Sequence, residues 1–323
     1  MVQARANANF YSLSGSSAPE NRTPVYDEYR RCWNDYPARF VVRDFPLHLD
    51  VEATSRCNLR CTFCDKLPLL PKSKLGSMDM GLYRKIIDEA GEKGLWGLKL
   101  SYRGEPLLHR HIAEMVAYAK KKGVLDIYFN SNGMLLTERM SQQLMDAGLD
   151  RISISVEGTD PARFEQDRLG AKFDVILRNV ETLMTLKAQK GYAHPKVRVQ
   201  TVCLPHIDLD DYREFWKDRC DEAAAVDYKD AVNRDEDLVN SGWACPQLWQ
   251  RMTIEWDGTI MPCNNDDYGR LSPGNIKDRN IEDCWHDEIV QQARKMHMKG
   301  DSHRLEACRG CPWRTTQVRK NDY

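Results

Sequence analysis

Short apolar runs alternate with amphipathic stretches over residues 47 to about 230. Runs rich in β-branched and aromatic residues predict strands; they cover residues 47–53, 98–102, 125–130, 151–156, 197–202 and, more weakly, 224–228. Between them, apolar residues recur at helical spacing. Ser77 and Thr137 are predicted to cap two of the helices, and Gly94 and Gly148 to end them. This alternation predicts right-handed βαβ units and a parallel sheet.

Six such units are too few for a closed eight-stranded barrel, and spacing alone leaves open a partial barrel or a doubly wound sheet. Residues 1–45 are predicted to be irregular, and residues 46–238 to form the α/β domain. After residue 238 the pattern changes, and "MTIEWDGTIMPC" predicts a hairpin around Asp257 and Gly258. Residues 239–323 are therefore interpreted as a second, small domain.

Composition narrows the class of protein. The 323 residues are 41% hydrophobic and 29% charged with a formal net charge of −1, which is typical of a soluble globular protein. A near-neutral chain carries no global basic field, so no nucleic-acid partner is expected. The first residues lack the apolar core of a signal peptide, and no apolar run reaches the roughly 18 residues of a membrane span. A cytoplasmic protein without a membrane partner is predicted.

Three of the eleven cysteines, Cys57, Cys61 and Cys64, follow the first predicted strand. Thiolates hold iron–sulfur clusters, and three of them bind three irons of a four-iron cluster while the fourth iron stays open. Their position matches the strand-end face where α/β enzymes carry active sites. A zinc site with a distant fourth ligand and a set of buried thiols are the alternatives, although C-x3-C-x2-C is not a usual zinc spacing.

With Phe63 in the aromatic position, this stretch resembles the signature C-x3-C-x-aromatic-C of the radical S-adenosylmethionine (SAM) superfamily. The resemblance implies a partial (β/α)6 TIM-like barrel whose open iron is chelated by SAM. It also implies that Glu105 accepts a hydrogen bond from the SAM ammonium and that Arg168 pairs with the methionine carboxylate. Arg103 replaces the first glycine of the family's GGEP loop. The SAM contacts implied in this way are Phe63, Gly104, Glu105, Pro106, Asn130, Ser155, Glu157 and Arg168.

A second set of cysteines has the spacing C-x17-C-x44-C-x2-C and comprises Cys245, Cys263, Cys308 and Cys311. Four cysteines can close a cluster without an open site. The surrounding sequence resembles the SPASM/twitch domains that carry auxiliary four-iron clusters, and in particular 2-deoxy-scyllo-inosamine dehydrogenase-like enzymes. The resemblance implies SAM and two [4Fe-4S] clusters as cofactors. A zinc ribbon is the alternative.

The resemblance further implies reductive cleavage of SAM to a 5′-deoxyadenosyl radical, which removes a hydrogen atom from a hydroxylated small molecule such as a sugar, aminosugar or cyclitol. A reductase such as flavodoxin or ferredoxin is the expected electron donor. Dehydrogenation with the auxiliary cluster as electron acceptor and epimerisation with a thiol as hydrogen donor are both open. Cys203 is the candidate donor, with a small buried side chain as its alternative. For Cys284 we expect a position on a helix surface.

Asp227, Tyr228 and Asp230, at the end of the sixth predicted strand, are candidate substrate contacts or bases. The acidic stretches "DLDD" and "RDED" suit an amine-bearing substrate, although such runs are usually solvated. Peptide modification is the rival function, and the N-terminal 45 residues are too few for the leader-binding domain that many such enzymes carry. A non-catalytic scaffold that uses the cysteines for structural metal is a remote alternative.

Overall fold

The computed structural model describes residues 2, 4, 10–19, 23–64, 71, 74–229 and 242–321, with side chains through residue 317. The strands are β1 Phe10–Gly15, β2 His48–Val51, β3 Arg60–Cys61, β4 Gly97–Lys99, β5 Asp126–Ser131, β6 Arg151–Ser155, β7 Arg168–Leu169, β8 Lys196–Cys203, β9 Glu222–Asp227, β10 Arg251–Ile254, β11 Thr259–Met261 and β12 Gly274–Asn275. The helices are α1 Pro24–Arg39, α2 Met80–Glu92, α3 Ile112–Lys121, α4 Glu138–Asp146, α5 Pro161–Asp167, α6 Phe173–Lys190, α7 Leu209–Trp216, α8 Ile281–Trp285, α9 Glu288–Met298 and α10 Pro312–Asn321. Among these, no helix has the length and apolar character needed to cross a membrane.

Ten strands form one sheet in the order β1-β9-β8-β6-β5-β4-β2-β10-β11-β12. The six strands β2, β4, β5, β6, β8 and β9 are parallel and lie side by side in chain order. A doubly wound sheet would reverse its order part-way. The predicted partial (β/α)6 barrel is therefore confirmed, and all six predicted strands are present.

The two faces of this sheet differ in chemistry. The outer face supplies apolar residues such as Leu98, Ile127 and Ile152 to the main core, where they pack with the helices. On the inner face, Lys99 is in register with Asp50 of β2 and with Tyr128 of β5. Closed TIM barrels fill their interior with branched apolar side chains. This open barrel instead presents hydrogen-bonding groups to its interior.

The predicted N-terminal cap of α4 is confirmed, because Thr137 accepts a hydrogen bond from Met140 N at 3.3 Å. The predicted cap of α2 is wrong. Asp79, not Ser77, accepts from the first backbone N–H groups of the helix. Ser77 lies in a β-bridge with Thr54, two residues before the position that caps the helix.

The prediction that residues 1–45 are irregular is wrong. β1 pairs antiparallel with β9 and forms the edge of the sheet. α1 begins after Thr23, whose side chain accepts from Tyr26 N at 3.2 Å, and it buries Tyr29, Cys32 and Trp33. Its aromatic residues repeat at helical spacing, but flanking Ser, Gly and Pro residues dominate the local composition.

The C-terminal region extends the barrel. β10 and β11 form the predicted hairpin, with Thr253 opposite Met261. β10 also pairs in parallel with β2, so the two predicted domains share one sheet. The predicted boundary between residues 238 and 239 lies outside the described residues.

Candidate metal centres and active site

The first cysteine set lies in the loop after β2 and is held by a second, two-stranded sheet. β3 pairs antiparallel with β7, which places Cys61 directly opposite Arg168. Cys57, Cys61 and Cys64 are half-buried. Burial, together with Glu157 and the two neighbouring thiols, raises the pKa of Cys61 to about 11. The three thiols are thus close enough to repel one another's negative charge, as the ligands of one cluster must be.

Three of the predicted SAM contacts surround Cys61. Arg168 donates from Nε and Nη2 to the two carboxylate oxygens of Glu157, the latter at 2.9 Å. Its remaining Nη1 lies 3.7 Å from Cys61 Sγ, and its guanidinium carbon lies 5.4 Å from the centroid of the Phe63 ring. The structure therefore brings Phe63, Glu157 and Arg168 together beside the first cysteine set, and Arg168 forms a bidentate ion pair with Glu157.

Gly104 and Glu105 attach their loop to the chain that precedes Cys57. Gly104 has φ +69°, and a Cβ there would lie 2.4 Å from the carbonyl oxygen of Thr54. Only glycine permits both this conformation and this approach. The next residue donates its backbone N–H to Arg56 O at 2.8 Å. The loop and the cysteine segment are therefore positioned by one another.

The Glu105 carboxylate is only 2% exposed, and burial raises its pKa. It accepts from Ser131 Oγ at 2.8 Å and from the backbone N–H groups of Asn132 at 2.7 Å and Leu107 at 3.1 Å. A carboxylate offers about four acceptor positions. One position is left for the SAM ammonium that Glu105 is predicted to bind.

The "NSNG" segment contributes through residues that the sequence did not single out. Asn132 donates from its amide to Asn58 Oδ1 at 2.9 Å and so links strand β5 to the cysteine loop. The predicted contact Asn130 donates its backbone N–H to Ser101 Oγ. Ser155 ends β6 half-buried, in register with Gln200 of β8. Both residues lie at carboxyl ends of strands, and their roles stay predictions.

Arg103 has a role that its departure from the family motif did not reveal. It is 4% exposed and donates from Nε and Nη2 to Glu52, each at 2.8 Å. Nη2 also lies 2.9 Å from Glu255 Oε1, in the hairpin between β10 and β11. A guanidinium suits two carboxylates at once because its donors are fixed in one plane. Arg103 thus joins the barrel to the C-terminal region.

The second cysteine set converges in the C-terminal region. Burial and the nearby Cys311 raise the pKa of Cys245 to about 12. Burial also raises the pKa of Cys263 and of Cys308 well above the ordinary value, and the other thiols of the set contribute to each shift. Cys311 donates its backbone N–H to Cys308 O at 3.1 Å. Three thiols with pKa values raised by burial, beside a fourth cysteine, fit a metal group that replaces their protons.

His297, in α9, contacts two of these cysteines and was missed from the sequence. It accepts from the backbone N–H of Cys245 at 3.1 Å on Nδ1, and its Nε2 lies 3.4 Å from Cys308 Sγ. Burial, with a contribution from Arg314, lowers the pKa of His297 to about 3, so the imidazole is neutral. The sequence signal that could have indicated this histidine is its position eleven residues before the cysteine pair Cys308 and Cys311.

Both cysteine sets suit iron–sulfur clusters. Within the described part of the chain, no three His, Cys, Asp or Glu side chains are arranged around a single ion. In a cluster each thiolate binds its own iron, so the sulfurs stand further apart than around one zinc. The first set would hold three irons and leave one open, and the second would close all four.

The candidate substrate residues lie at the ends of β8 and β9. Cys203 is the register partner of Asp227, and Tyr11 of β1 donates its hydroxyl to Asp227 Oδ1 at 3.0 Å. Cys203 and Tyr228 are half-buried. Asp230 lies outside the described residues, so its role stays a prediction.

One further expectation needs correction, and one of the two acidic stretches has a structural explanation. Cys284 is fully buried in α8 and belongs to the main core, so it is not on a helix surface. In "DLDD", Asp208 caps α7 by accepting from Asp210 N and Asp211 N, which explains the acidic run without a substrate. The "RDED" stretch lies outside the described residues.

A cavity of about 150 Å³ lies beside the second cysteine set, since its lining includes Pro246, Asn264 and Trp313, which are near Cys245, Cys263 and Cys311 in the chain. Asn264, next to Cys263, donates to Asp50 Oδ2 at 3.3 Å, and Arg251 donates to the same oxygen at 3.1 Å. The cavity is lined by Lys229, Pro246, Gln247, Gln250, Arg251, Asn264 and Trp313.

Comparison with known families agrees with this geometry. The model of the family described as "Radical SAM superfamily" matches residues 51–217, just over half of the chain. The chain belongs to the radical SAM superfamily. A SPASM domain, described as "Iron-sulfur cluster-binding domain", matches residues 245–312. This radical SAM protein is therefore an enzyme that uses SAM and a [4Fe-4S] cluster, with auxiliary iron–sulfur binding in its SPASM domain.

Curated relatives resemble part of this radical SAM chain. A probable GTP 3′,8-cyclase of Methanococcus maripaludis is 34% identical over 141 residues, which cover 43% of this chain and 45% of the relative. GTP 3′,8-cyclase of Desulforamulus reducens is 26% identical over 172 residues, which cover 52% and 50%. The chain thus spans about half the length of these relatives.

Solved structures share the fold over most of the chain. BtrN in complex with AdoMet and 2-DOIA superposes with a TM-score of 0.56 at 21% identity, covering 82% of this chain and 92% of BtrN. Streptococcus suis SuiB bound to precursor peptide SuiA superposes with a TM-score of 0.65 at 14% identity, covering 90% and 78%. At these identities the likeness concerns the fold alone.

Proposed function

We propose that this radical SAM enzyme oxidises a hydroxylated small molecule, a sugar, aminosugar or cyclitol, by dehydrogenation. The observation that carries the proposal is the cavity lined by Asn264 and Arg251, beside the second cysteine set. A substrate there would hydrogen-bond to the barrel while it lay next to an electron acceptor. The fold similarity to BtrN supports the resemblance to 2-deoxy-scyllo-inosamine dehydrogenase-like enzymes.

When bound, SAM and the first cluster supply a 5′-deoxyadenosyl radical that takes a hydrogen atom, and the auxiliary cluster takes up one electron. The chain's own residues position these groups. Cys57, Cys61 and Cys64 would hold the first cluster, and Glu105 would accept from the SAM ammonium. Arg168, fixed by Glu157, places positive charge beside Cys61, where it would pair with the SAM carboxylate.

The remaining proton of the substrate hydroxyl needs a base. Asp227 is the proposed base, and the hydroxyl of Tyr11 orients its carboxylate. Asp227 would accept the hydroxyl proton, while SAM and the auxiliary cluster, when bound, would take up the hydrogen atom and the remaining electron. Two electrons and two protons leave in total, and the C–OH group becomes C=O. A reductase such as flavodoxin or ferredoxin would supply the electron that cleaves SAM.

Epimerisation is the alternative outcome at the same site. Cys203 lies next to Asp227 across β8 and β9, where a thiol would return a hydrogen atom to the opposite face of a substrate radical. Cys203→Ala would then abolish inversion, and Cys220→Ala, a buried thiol outside this strand end, serves as the matched control. Unchanged turnover and stereochemistry in Cys203→Ala would rule out the donor role.

Two further candidates rest on the comparisons. Cyclisation of a nucleotide is favoured by the 34% identity to a probable GTP 3′,8-cyclase. Peptide modification is favoured by the fold similarity to SuiB bound to its precursor peptide. Incubation with SAM, dithionite and GTP, a peptide or a polyol panel separates these candidates, because only the true substrate yields product together with 5′-deoxyadenosine.

The experiment that tests the proposal counts iron and sulfide under anaerobic conditions. Wild type should hold about eight irons, and a Cys57/Cys61/Cys64→Ala variant about four. Only wild type should make 5′-deoxyadenosine from SAM with dithionite, and only wild type should bind SAM, which also tests the scaffold alternative. About four irons in wild type and none in the variant would remove the electron acceptor and refute dehydrogenation by this route.

A further inference from the structure

His297 is a buried imidazole that connects two auxiliary-cluster cysteines. The residue is completely buried, and its ring meets that of Trp243 edge-on at a centroid distance of 6.1 Å. Nδ1 accepts from the backbone N–H of Cys245 at 3.1 Å, and Nε2 lies 3.4 Å from Cys308 Sγ. No other described histidine is hydrogen-bonded to a cysteine of either set.

The hydrogen bond from Cys245 N–H to Nδ1 determines the role of Nε2 toward Cys308. An imidazole nitrogen that accepts a hydrogen bond carries no proton, so the ring proton is on the other nitrogen. Because Nδ1 accepts from Cys245, the proton sits on Nε2 and points at the sulfur of Cys308. His297 is therefore a hydrogen-bond donor to a ligand thiolate, and the main chain of a second ligand sets its tautomer.

From this geometry we propose that His297 is a positioning residue that raises the reduction potential of the auxiliary cluster through an N–H···S hydrogen bond to Cys308. Reduction adds one negative charge to a cluster, and the hydrogen bond stabilises that charge on the sulfur. Hydrogen bonds to the sulfurs are among the main determinants of cluster potential. A higher potential makes the cluster a better acceptor for the electron of a substrate radical, a consequence that rests on the proposed function.

Two substitutions separate the halves of the contact. The amide oxygen of Asn reaches the position of Nδ1, so His297→Asn keeps an acceptor for Cys245 N–H and loses the donor to Cys308. The longer Gln places its amide nitrogen near the position of Nε2, so His297→Gln keeps the donor to sulfur. His297→Leu removes both. Wild type compared with His297→Asn, and His297→Gln compared with His297→Leu, therefore isolate the N–H···S bond.

The test is a redox titration followed by EPR in the Cys57/Cys61/Cys64→Ala background, where the auxiliary cluster is the remaining signal. Iron content is measured first and should stay at about four per chain. In His297→Asn and His297→Leu, the ratio of reduced to oxidised cluster at a fixed potential should fall about tenfold, which corresponds to about 59 mV for one electron. The auxiliary cluster in His297→Gln should have the same reduction potential as in the protein that keeps His297.

Pulsed EPR supplies a second readout. A weak nitrogen coupling should be present with His297 and absent in His297→Leu. The proposal is overturned by an unchanged potential in a fully loaded His297→Asn variant, by loss of iron from that variant, or by a strong coupling that marks nitrogen bound directly to iron. Turnover does not enter these measurements. Failure to find an oxidised product would therefore count against dehydrogenation and leave the hydrogen bond to be judged on the potential.

Discussion

Replacing Arg103 by methionine tests how the barrel and the C-terminal region are joined. The Arg103 side chain is 3% exposed, and its partners Glu52 and Glu255 are 0% and 7% exposed. Removing one partner of a buried ionic group costs about 3–5 kcal/mol, because the other partner stays buried without compensation. Arg103→Met leaves two such carboxylates facing each other. At about 2 °C per kcal/mol for a large domain, the melting temperature should fall by about 6–10 °C.

The loss should depend on pH. Burial already raises the pKa of Glu255, Arg103 lowers it and Glu52 raises it. Without Arg103 that pKa rises further, so the folded variant binds a proton more tightly than the unfolded chain does. A group of this kind lowers stability as pH rises through and above its unfolded pKa of about 4.3. Arg103→Met should therefore lose less stability at pH 5 than at pH 8, where its full loss is expected.

The assay is anaerobic thermal unfolding of fully loaded protein at both pH values. Arg84→Met is the matched control, because Arg84 and Glu114 form a comparable ion pair at 2.8 Å with side chains 50% and 46% exposed. Exposed pairs contribute less than about 1 kcal/mol. Equal melting temperatures for Arg103→Met and Arg84→Met at pH 8, or a loss that is the same at pH 5, would refute the reasoning.

Three further predictions concern the site. Gly104→Ala should lose about half of the iron and all SAM binding, because the added Cβ would clash with backbone atoms. Gly94→Ala, also at positive φ but with no atom within 4 Å of the added Cβ, should keep all iron. Full iron content in Gly104→Ala would contradict this prediction. Arg168→Lys should weaken SAM binding at least about tenfold in equilibrium titration, since lysine cannot form the bidentate ion pair with Glu157. An unchanged dissociation constant would show that the bidentate pair is dispensable. Tyr11→Phe should lower the ratio of oxidised product to 5′-deoxyadenosine through misplacement of Asp227, and an equal ratio would remove Tyr11 from the site.

Local patterns were sufficient wherever one segment carried the whole signal. The six barrel strands, the hairpin at Asp257 and Gly258, and the Thr137 cap follow from periodicity and turn chemistry within a few residues. The cysteine spacings indicated two metal sites for the same reason, since the ligand type and its interval are written in the chain. The motif around Phe63 then identified the superfamily, and the family model confirms it.

The features that the sequence did not predict have a different cause. β1 is an edge strand whose hydrogen bonds come from β9, more than two hundred residues away, so its own composition says little about it. In the sequence Arg103 is only a departure from a glycine motif, because its partners Glu52 and Glu255 are brought to it by the fold. His297 reads as an ordinary helical residue until the fold brings Cys245 and Cys308 to its two nitrogens.

The sequence by itself therefore determined the barrel strands and the superfamily and predicted the cluster ligands, because short-range spacing encodes secondary structure and suggests ligand sets. The tertiary structure alone decided how the two regions join and what surrounds each cysteine set. It also placed Arg251 and Asn264, the neighbour of Cys263, against Asp50 on the inner face of the barrel. Burial and partner geometry set the charge state and direction of a polar side chain, and both arise only when distant segments meet.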